Sequence, residues 1–382
     1  MANKNIFCNT PWYELHVYWD GSLGICCQED HKLYQDANYN VANTSLLTWF
    51  NSDPVTNFRQ ALLRDKQHSA CRRCYIDEQA QGNSRRLKSN QKSVIFTRQA
   101  FEPSYQQSPG LPHFEHSLNN RGLTTSAPID VHIDLGNFCN LACKMCKPRA
   151  SSKIASQHVL WGIETSRQYL GVDWTKDSQV WQSFLDQLLA IPGLKNIHFM
   201  GGETLLTPRL EQLVDRFTAE KRFEVCFSFV TNGTVYNQRL IEKLCKFSRV
   251  GIEVSIETLT AHNAYQRQGT DTDLVLENID KYLENCNDDN ITVALRPAPS
   301  LLTVGHYISL LQFAQQRRLI VKSNLCFDPE FLYPAVLPTD VKQLYLSRYN
   351  AFLNQLSDVD TGSDYNASDP VSYTHLTLPT KA

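Results

Sequence analysis

The hydrophobic and polar positions of this chain change their pattern near residue 129. From there on, short apolar runs alternate with longer amphipathic stretches, which predicts strands that alternate with helices. Six strands are expected at 131–135, 197–200, 225–230, 250–256, 291–295 and 319–327. The expected helices lie at 176–190, 208–220, 237–247, 273–285, 306–318 and 340–356. This order predicts parallel βαβ units. Six units fit an open partial barrel or a doubly wound sheet rather than a closed eight-unit TIM barrel.

The first third of the chain has a different texture. Residues 1–82 are rich in cysteine and aromatic residues, with a strand-like run at Leu15–Trp19 followed by a turn. We expect a small α+β domain here, then a polar connector over 83–128 with room for one short helix. The α/β core then spans 129–327, and a helical extension covers 328–364.

The last residues break the preceding pattern. The segment Pro370–Ala382 looks like translated sequencing-adapter readthrough, with a genuine disordered tail as the alternative. We therefore expect 365–382 to be disordered or artefactual and the native C-terminus to be missing.

Composition and charge narrow the class of protein. Hydrophobic residues make up 42% and charged residues 20%, which is typical of a globular chain and excludes wholesale disorder. The 37 basic and 39 acidic side chains give a net charge of −2, so a strongly basic nucleic-acid binder is not indicated. No apolar run approaches the ~18 residues of a membrane span, and the N-terminus lacks a signal-peptide core. We expect a cytoplasmic protein, in which thiols stay reduced.

Twelve cysteines in such a chain point to metal binding or redox chemistry. Cys139, Cys143 and Cys146 form a C-x3-C-x2-C motif soon after the first core strand. Three thiolates can hold three irons of a cubic [4Fe–4S] cluster and leave the fourth iron open to another ligand. The alternatives are a zinc site or three core thiols. Zinc normally takes four ligands, and the nearby His132 lies inside the expected strand.

This motif, placed after the first core strand, resembles that of the radical S-adenosylmethionine (SAM) superfamily. The resemblance covers about residues 129–327 and implies a partial (β/α)6 barrel. It implies that Cys139, Cys143 and Cys146 are catalytic and hold a [4Fe–4S] cluster. That cluster, once reduced, would split SAM into methionine and a 5′-deoxyadenosyl radical, which abstracts hydrogen from a substrate.

Further segments are similar to SAM-binding segments of this superfamily. Gly201-Gly202-Glu203 ends the second strand and resembles the segment that contacts the SAM amino group, since glycines permit close backbone approach and a carboxylate pairs with an ammonium. The other candidate SAM contacts are Thr231, Asn232, Ser255, Glu257 and Arg267. An ordinary turn or a solvated surface is the alternative for these positions. Met145 stands where an aromatic residue is frequent, and the adenine contacts stay unassigned.

A second group of cysteines lies in the N-terminal region. Cys8, Cys71 and Cys74 with one of the adjacent pair Cys26 and Cys27 supply four soft ligands. The segment resembles the SPASM/twitch extensions that bind auxiliary iron–sulfur clusters, although those extensions usually follow the barrel. An auxiliary [4Fe–4S] cluster, structural zinc and no metal all stay open. Cys26 is favoured over Cys27 because side chains alternate along a strand.

The remaining features are expected to be structural. Cys226, Cys245, Cys286 and Cys326 are isolated, as buried free thiols commonly are. The basic runs Arg72-Arg73 and Arg85–Lys88 are expected to form a solvated face. The histidines show no metal-ligand spacing.

Together these features predict a radical SAM enzyme with an N-terminal auxiliary-cluster domain. The resemblance implies a peptide substrate first and a small molecule next, with a reductant such as flavodoxin or ferredoxin. Two alternatives stay open: an iron–sulfur electron-transfer or sensing protein without radical catalysis, and a zinc-bearing binding module fused to an inert α/β core. Cleavage of SAM and metal analysis discriminate between them.

Overall fold

The computed structural model describes residues 6–29, 38–82, 84–90, 112–285, 290–326 and 328–357. Cys286, the connector residues 91–111 and the segment 365–382 therefore lie outside the described residues. Among the helices of the described part, none is long and apolar enough to cross a membrane.

All six expected core strands are present, and the described residues contain four further short strands. The strands are β1 (Glu14–Val17), β2 (Leu23–Gly24), β3 (Asp130–Asp134), β4 (Ala142–Cys143), β5 (Asn196–Met200), β6 (Cys226–Thr231), β7 (Val250–Val254), β8 (Arg267–Gln268), β9 (Ile291–Leu295) and β10 (Ile320–Val321). The sixth core strand, β10, has only two residues, far fewer than the apolar run at 319–327 predicts.

The expected helices are present within three residues of their predicted ends. The helices are α1 (Leu46–Phe50), α2 (Asp53–Leu63), α3 (Arg72–Gln81), α4 (Arg85–Asn90), α5 (Pro112–Asn119), α6 (Ser152–Leu160), α7 (Ser178–Ala190), α8 (Pro208–Ala219), α9 (Gln238–Leu244), α10 (Ala261–Gln266), α11 (Thr272–Glu284), α12 (Tyr307–Gln316) and α13 (Thr339–Ser357). Short 3-10 turns lie at Thr10–Trp12, Ser69–Cys71, Pro148–Ala150, Glu164–Tyr169, Trp174–Lys176, Thr204–Leu206, Val304–His306, Glu330–Leu332 and Pro334–Val336. The described parts of the connector contain two helices, α4 and α5, where the sequence predicts one.

The chain divides into two compact units, each built from separate segments. The first unit takes the described residues of 1–138, 168–229 and 239–250, and the second takes those of 139–167, 230–238 and 251–382.

In the first unit the strands are ordered β2–β1–β3–β5–β6. β1 pairs in parallel with β3, with His16 opposite His132, and β2 is antiparallel to β1. The first strand of the N-terminal cysteine-rich region therefore extends the same sheet as the first core strand. The sequence does not reveal that β1 pairs with β3, because pairing between residues more than 100 positions apart leaves no local pattern.

The two faces of this sheet differ in character. Apolar side chains such as Val131, Ile133 and Phe199 are fully buried on one face. Glu14, His16, Asp130, His132 and His198 occupy the alternate positions. Most central parallel strands are apolar on both sides, so a polar face indicates a functional surface.

In the second unit β7, β9 and β10 are successive neighbours. Arg296 N donates to Val254 O at 2.7 Å, which continues the parallel pattern beyond the end of β9. A separate antiparallel ribbon pairs β4 with β8. This ribbon fixes the loop that carries the three-cysteine motif.

Candidate active site and auxiliary cysteine site

The three cysteines of the central motif converge in the second unit. Cys143 ends β4, and Cys146 N donates to Cys143 O at 3.0 Å to close a turn that brings the two thiols into hydrogen-bond contact. Cys139 is close enough to Cys146 to interact with it electrostatically. Cys143 is buried, Cys139 is half-buried and Cys146 is exposed, so solvent reaches the donor set at Cys146. Three soft donors in one loop fit three corners of a [4Fe–4S] cluster.

Arg267 is the cross-strand neighbour of Cys143. The ribbon register places the two residues opposite each other, and Arg267 Nη1 is 3.8 Å from Cys143 Sγ. The other two nitrogens form a fork with Glu257, with Nε–Oε2 and Nη2–Oε1 distances of 2.6 and 2.7 Å. The Glu257 side chain is completely buried and also accepts from Ala298 N at 3.2 Å. The guanidinium of Arg267 therefore binds a carboxylate of the protein itself.

The pKa values of the Cys143 and Cys146 thiols are shifted in opposite directions. The hydrogen bond with Cys146, together with burial, raises the pKa of Cys143 well above its usual range. The same hydrogen bond lowers the pKa of Cys146, and the positive charge of Arg267 lowers it further. Cys146 is thus the first of the two to become a thiolate, the form that binds metal.

The Thr231-Asn232 segment contacts the same loop. Asn232 Nδ2 donates to Asn140 Oδ1 at 2.8 Å and lies 4.0 Å from Cys139 Sγ. Asn232 Oδ1 accepts from Thr234 Oγ1 at 2.7 Å, and Thr231 Oγ1 accepts from Gly233 N at 3.1 Å. The segment is therefore both a tight turn and a support for the cysteine loop.

A row of polar side chains crosses the ends of four strands in the second unit. Backbone hydrogen bonds between neighbouring strands align these residues at one level and on one face. The row consists of Asn232, Ser255, Arg296 and Lys322. Glu253, one step below Ser255 on the same face, accepts from Arg296 Nη1 and from Lys322 Nζ, the latter at 2.7 Å. Two cationic side chains thus contact one carboxylate.

Gly201, Gly202 and Glu203 belong to the first unit. Both glycines have positive φ, and a Cβ on Gly202 would collide with the carbonyl oxygen of Phe138. Glu203 N donates to the same oxygen at 2.7 Å, and Glu203 Oε1 accepts from Leu205 N at 3.2 Å. The close backbone approach expected of the glycines is therefore made to the segment just before the cysteine motif.

We expect Gly202→Ala to destabilise the protein more than Gly193→Ala. Both glycines have positive φ, but a Cβ on Gly193 meets nothing within 4 Å. Gly193→Ala thus measures the backbone strain alone, about 1–2 kcal/mol, and Gly202→Ala adds a backbone clash. The melting temperature of the two variants, measured side by side, checks the prediction. Equal shifts would show that the Phe138 contact relaxes without cost.

The N-terminal cysteines form a second site within the first unit. Cys8, Cys26, Cys71 and Cys74 line one small cavity that is partly open to solvent. Cys71 and Cys74 stand at the N-terminal end of α3, and the Cys8 thiol donates to Thr10 Oγ1 at 3.3 Å. Burial raises the pKa of Cys8, Cys71 and Cys26, and it raises that of Cys74 to about 11. Four converging soft donors fit either an iron–sulfur cluster or zinc.

The expectation of a solvated face for the Arg85–Lys88 run is wrong for its first two residues. Arg86 is 4% exposed and forms a two-bond ion pair with Glu78, with Nε–Oε1 at 2.9 Å. Arg85 pairs with the buried Glu14. Both arginines also line the cysteine cavity. Their partners are distant in sequence or lie on another element, so the local charge pattern does not reveal them.

Cys27 has different neighbours from Cys26. It is not among the described residues that line the cavity, and its Sγ lies near Glu14 and His132. Burial alone would raise the pKa of the Cys27 thiol, but Arg85 and His132 outweigh burial and lower it. Sequence spacing missed this group because β1–β3 pairing assembles it.

Comparison with known families assigns both cysteine regions. Residues 133–295 match the sequence model of the radical SAM superfamily, and residues 8–75 match that of an iron–sulfur cluster-binding domain, SPASM. The chain therefore contains a radical SAM domain and, N-terminal to it, a SPASM domain. This confirms the family predicted from the C-x3-C-x2-C motif and the unusual N-terminal position of the SPASM domain.

Several characterised proteins are similar to this chain. A radical SAM cyclopropyl synthase, TigE of Paramaledivibacter caminithermalis, is 28% identical over 196 residues, which cover 48% of this chain and 38% of that protein. The structure of Streptococcus suis SuiB bound to precursor peptide SuiA has a TM-score of 0.44 and 14% identity, over 79% of this chain and 64% of that chain. The structure of anSMEcpe with AdoMet and the Cp18Cys peptide has a TM-score of 0.43 and 18% identity, over 59% and 62%. The chain thus spans less than two thirds of each of these proteins.

Proposed function

We propose that this protein is a radical SAM enzyme whose [4Fe–4S] cluster is held by Cys139, Cys143 and Cys146. The observation that carries the proposal is the proximity of these three thiols in one loop, with Cys146 exposed, inside the matched radical SAM domain. A reduced cluster there supplies the electron that converts SAM into methionine and a 5′-deoxyadenosyl radical. The radical abstracts hydrogen from the substrate.

The residues around the cysteine loop hold it and set its charge. Arg267 directs one N–H toward Cys143 Sγ and balances thiolate charge, while Glu257 fixes the guanidinium through two hydrogen bonds. Asn232 positions Asn140 and faces Cys139. These three side chains restrain the loop from both ends, so the thiols are in place before any ligand binds.

Other residues are proposed to position SAM. Glu203 is a buried carboxylate that suits the SAM ammonium, and Gly201 and Gly202 let the backbone take the required course. Thr231 and Ser255 lie at successive strand ends of the second unit, and Ser255 belongs to the polar row. A hydroxyl at that position suits a ribose or carboxylate oxygen of SAM.

The polar row also bears on the substrate. Arg296 and Lys322 both contact Glu253, and cationic side chains of this kind also suit a carboxylate of the substrate. A peptide substrate is proposed first and a small molecule next, and each can provide a carboxylate. The electron for SAM cleavage is proposed to come from flavodoxin or ferredoxin.

We propose that Cys8, Cys26, Cys71 and Cys74 hold an auxiliary [4Fe–4S] cluster, with zinc as the alternative. We expect Cys71→Ala/Cys74→Ala to lower the iron content of the reconstituted protein from about eight to about four atoms per chain. Elemental analysis measures the change. An unreplaced protein that already holds about four irons with one zinc would instead favour a structural zinc site.

The competing function is electron transfer or sensing without radical chemistry. Both functions require iron, so only the reaction of SAM separates them. Release of 5′-deoxyadenosine and methionine from SAM under a strong reductant tests the enzyme directly. Clusters that cycle between oxidation states while SAM stays intact would favour the competing function.

A further inference from the structure

Three side chains of different chemistry meet in the first unit, beside the auxiliary cysteine cavity. Glu14 lies on β1, His132 lies on β3, and Cys27 lies in the loop after β2. One ligand atom from each residue lies within 4.8 Å of the ligand atoms of the other two. The parallel pairing of β1 with β3 puts Glu14 and His132 on the same face of the sheet.

Two atoms of this group are buried without a partner. Glu14 Oε1 and His132 Nδ1 make no hydrogen bond within the described part of the chain. The Glu14 side chain is completely buried, and that of His132 is 8% exposed. A buried polar atom without a partner is costly, so such atoms are rare in native structures. His132 Nε2 lies 3.8 Å from Glu14 Oε2, so a cation between the two side chains is within reach of both residues.

The other polar atom of each of these residues is held in place. Glu14 Oε2 forms the ion pair with Arg85, and His132 Nε2 lies 3.6 Å from Asp130 Oδ1. Metal-binding carboxylates are generally hydrogen-bonded through their second oxygen, and metal-binding histidines direct their second nitrogen at a carboxylate. Glu14 therefore has this support from Arg85, and His132 has a carboxylate within 3.6 Å of its Nε2.

We propose that Glu14, Cys27 and His132 bind one divalent transition-metal ion of the zinc class, separate from the metal held by Cys8, Cys26, Cys71 and Cys74. A mixed sulfur, nitrogen and oxygen donor set suits zinc, and the thiolate and the carboxylate balance its charge. Three protein ligands leave one position for water or for a group of the substrate. The ion would link β1, β3 and the loop after β2. It would also hold Cys27 in place, which is the residue next to Cys26. This inference does not depend on SAM cleavage.

The test uses the full chain, reconstituted anaerobically with iron and sulfide, treated with a chelator and supplied with one equivalent of Zn²⁺. Elemental analysis gives zinc and iron per chain, and zinc X-ray absorption gives the ligand types. We expect about one zinc with a single sulfur near 2.3 Å and nitrogen or oxygen ligands near 2.0–2.1 Å. Because this measurement uses the unreplaced protein, it does not depend on any variant folding.

Matched cysteine variants then separate the two sites. Cys27→Ala should lose zinc and keep its iron, whereas Cys26→Ala should lose about four irons and keep zinc. Cys226→Ala, which replaces a half-buried thiol of the same unit, should keep both metals. Asp130→Asn should weaken zinc binding about 10- to 100-fold, because it removes the carboxylate behind His132.

Three outcomes would overturn the inference. The first is that the unreplaced protein takes up no zinc. The second is zinc bound by sulfur alone, which would place it in the cavity of the four other cysteines. The third is that Cys27→Ala loses iron instead of zinc, which would make Cys27 a ligand of the auxiliary cluster. None of these results alters the expected formation of 5′-deoxyadenosine, so failure here is distinguishable from failure of the proposed function.

Discussion

Replacing Cys143 with serine is expected to lower 5′-deoxyadenosine formation from SAM at least ~100-fold, because a cluster bound by two thiolates is not retained as a [4Fe–4S] cube. Cys143 is the buried member of the motif and is fixed by the β4–β8 ribbon. No other described cysteine lies on this ribbon, so a neighbouring thiol does not replace it. The product is measured by chromatography after anaerobic reconstitution and reduction.

Cys226→Ser is the matched control for this experiment. Cys226 begins β6 and is half-buried, and its Sγ lies 3.6 Å from Ser248 Oγ, well away in sequence from both cysteine motifs. We expect it to keep its iron and its SAM cleavage. If Cys143→Ser retained both the iron and the product of the unreplaced protein, the proposed cluster site would be wrong.

Replacing Arg267 with methionine is expected to destabilise the protein by about 3–5 kcal/mol, since it leaves the Glu257 carboxylate buried without its counter-charge. Glu257 has no exposed side-chain surface, and both of its oxygens are occupied by Arg267. The double variant Glu257→Gln/Arg267→Met removes both charges and should recover much of this loss. Urea unfolding followed by circular dichroism measures the three proteins.

Arg167→Met provides the control for the Arg267 experiment. Arg167 pairs with Glu164, but both side chains are more than 60% exposed, so solvent already screens the pair. We expect no measurable change in stability. If the Arg267 and Arg167 variants behaved alike, or if the double variant were less stable than Arg267→Met, the buried pair would not be the source of the effect.

Local patterns are sufficient to predict the core strands, the core helices and the cysteine motif. The length and spacing of apolar runs such as Ile197–Met200 distinguish strands from helices. The C-x3-C-x2-C motif lies within eight consecutive residues, so it can be recognised directly in the sequence. The motif and the alternation of strands with helices together are enough to identify the superfamily. The N-terminal SPASM domain is also recognisable from its cysteines, because their order is local to residues 8–75.

Features that depend on distant pairing are not predictable in this way. The attachment of β1 to β3 joins the N-terminal region to the core sheet, and it creates the group of Glu14, Cys27 and His132. Likewise, the sequence shows that Arg267 follows Glu257, but it does not show that the two side chains bind each other. The local charge pattern gives the wrong environment for Arg86 because its ion pair with Glu78 joins two different helices.

The central claim is that this chain cleaves SAM at the cluster held by Cys139, Cys143 and Cys146. The most direct measurement combines iron analysis with a 5′-deoxyadenosine assay on one anaerobically reconstituted sample, reduced in the presence of SAM. The account predicts about four irons for each cluster and accumulation of 5′-deoxyadenosine with methionine. A sample that holds a reducible cluster but leaves SAM uncleaved would contradict the account and favour electron transfer.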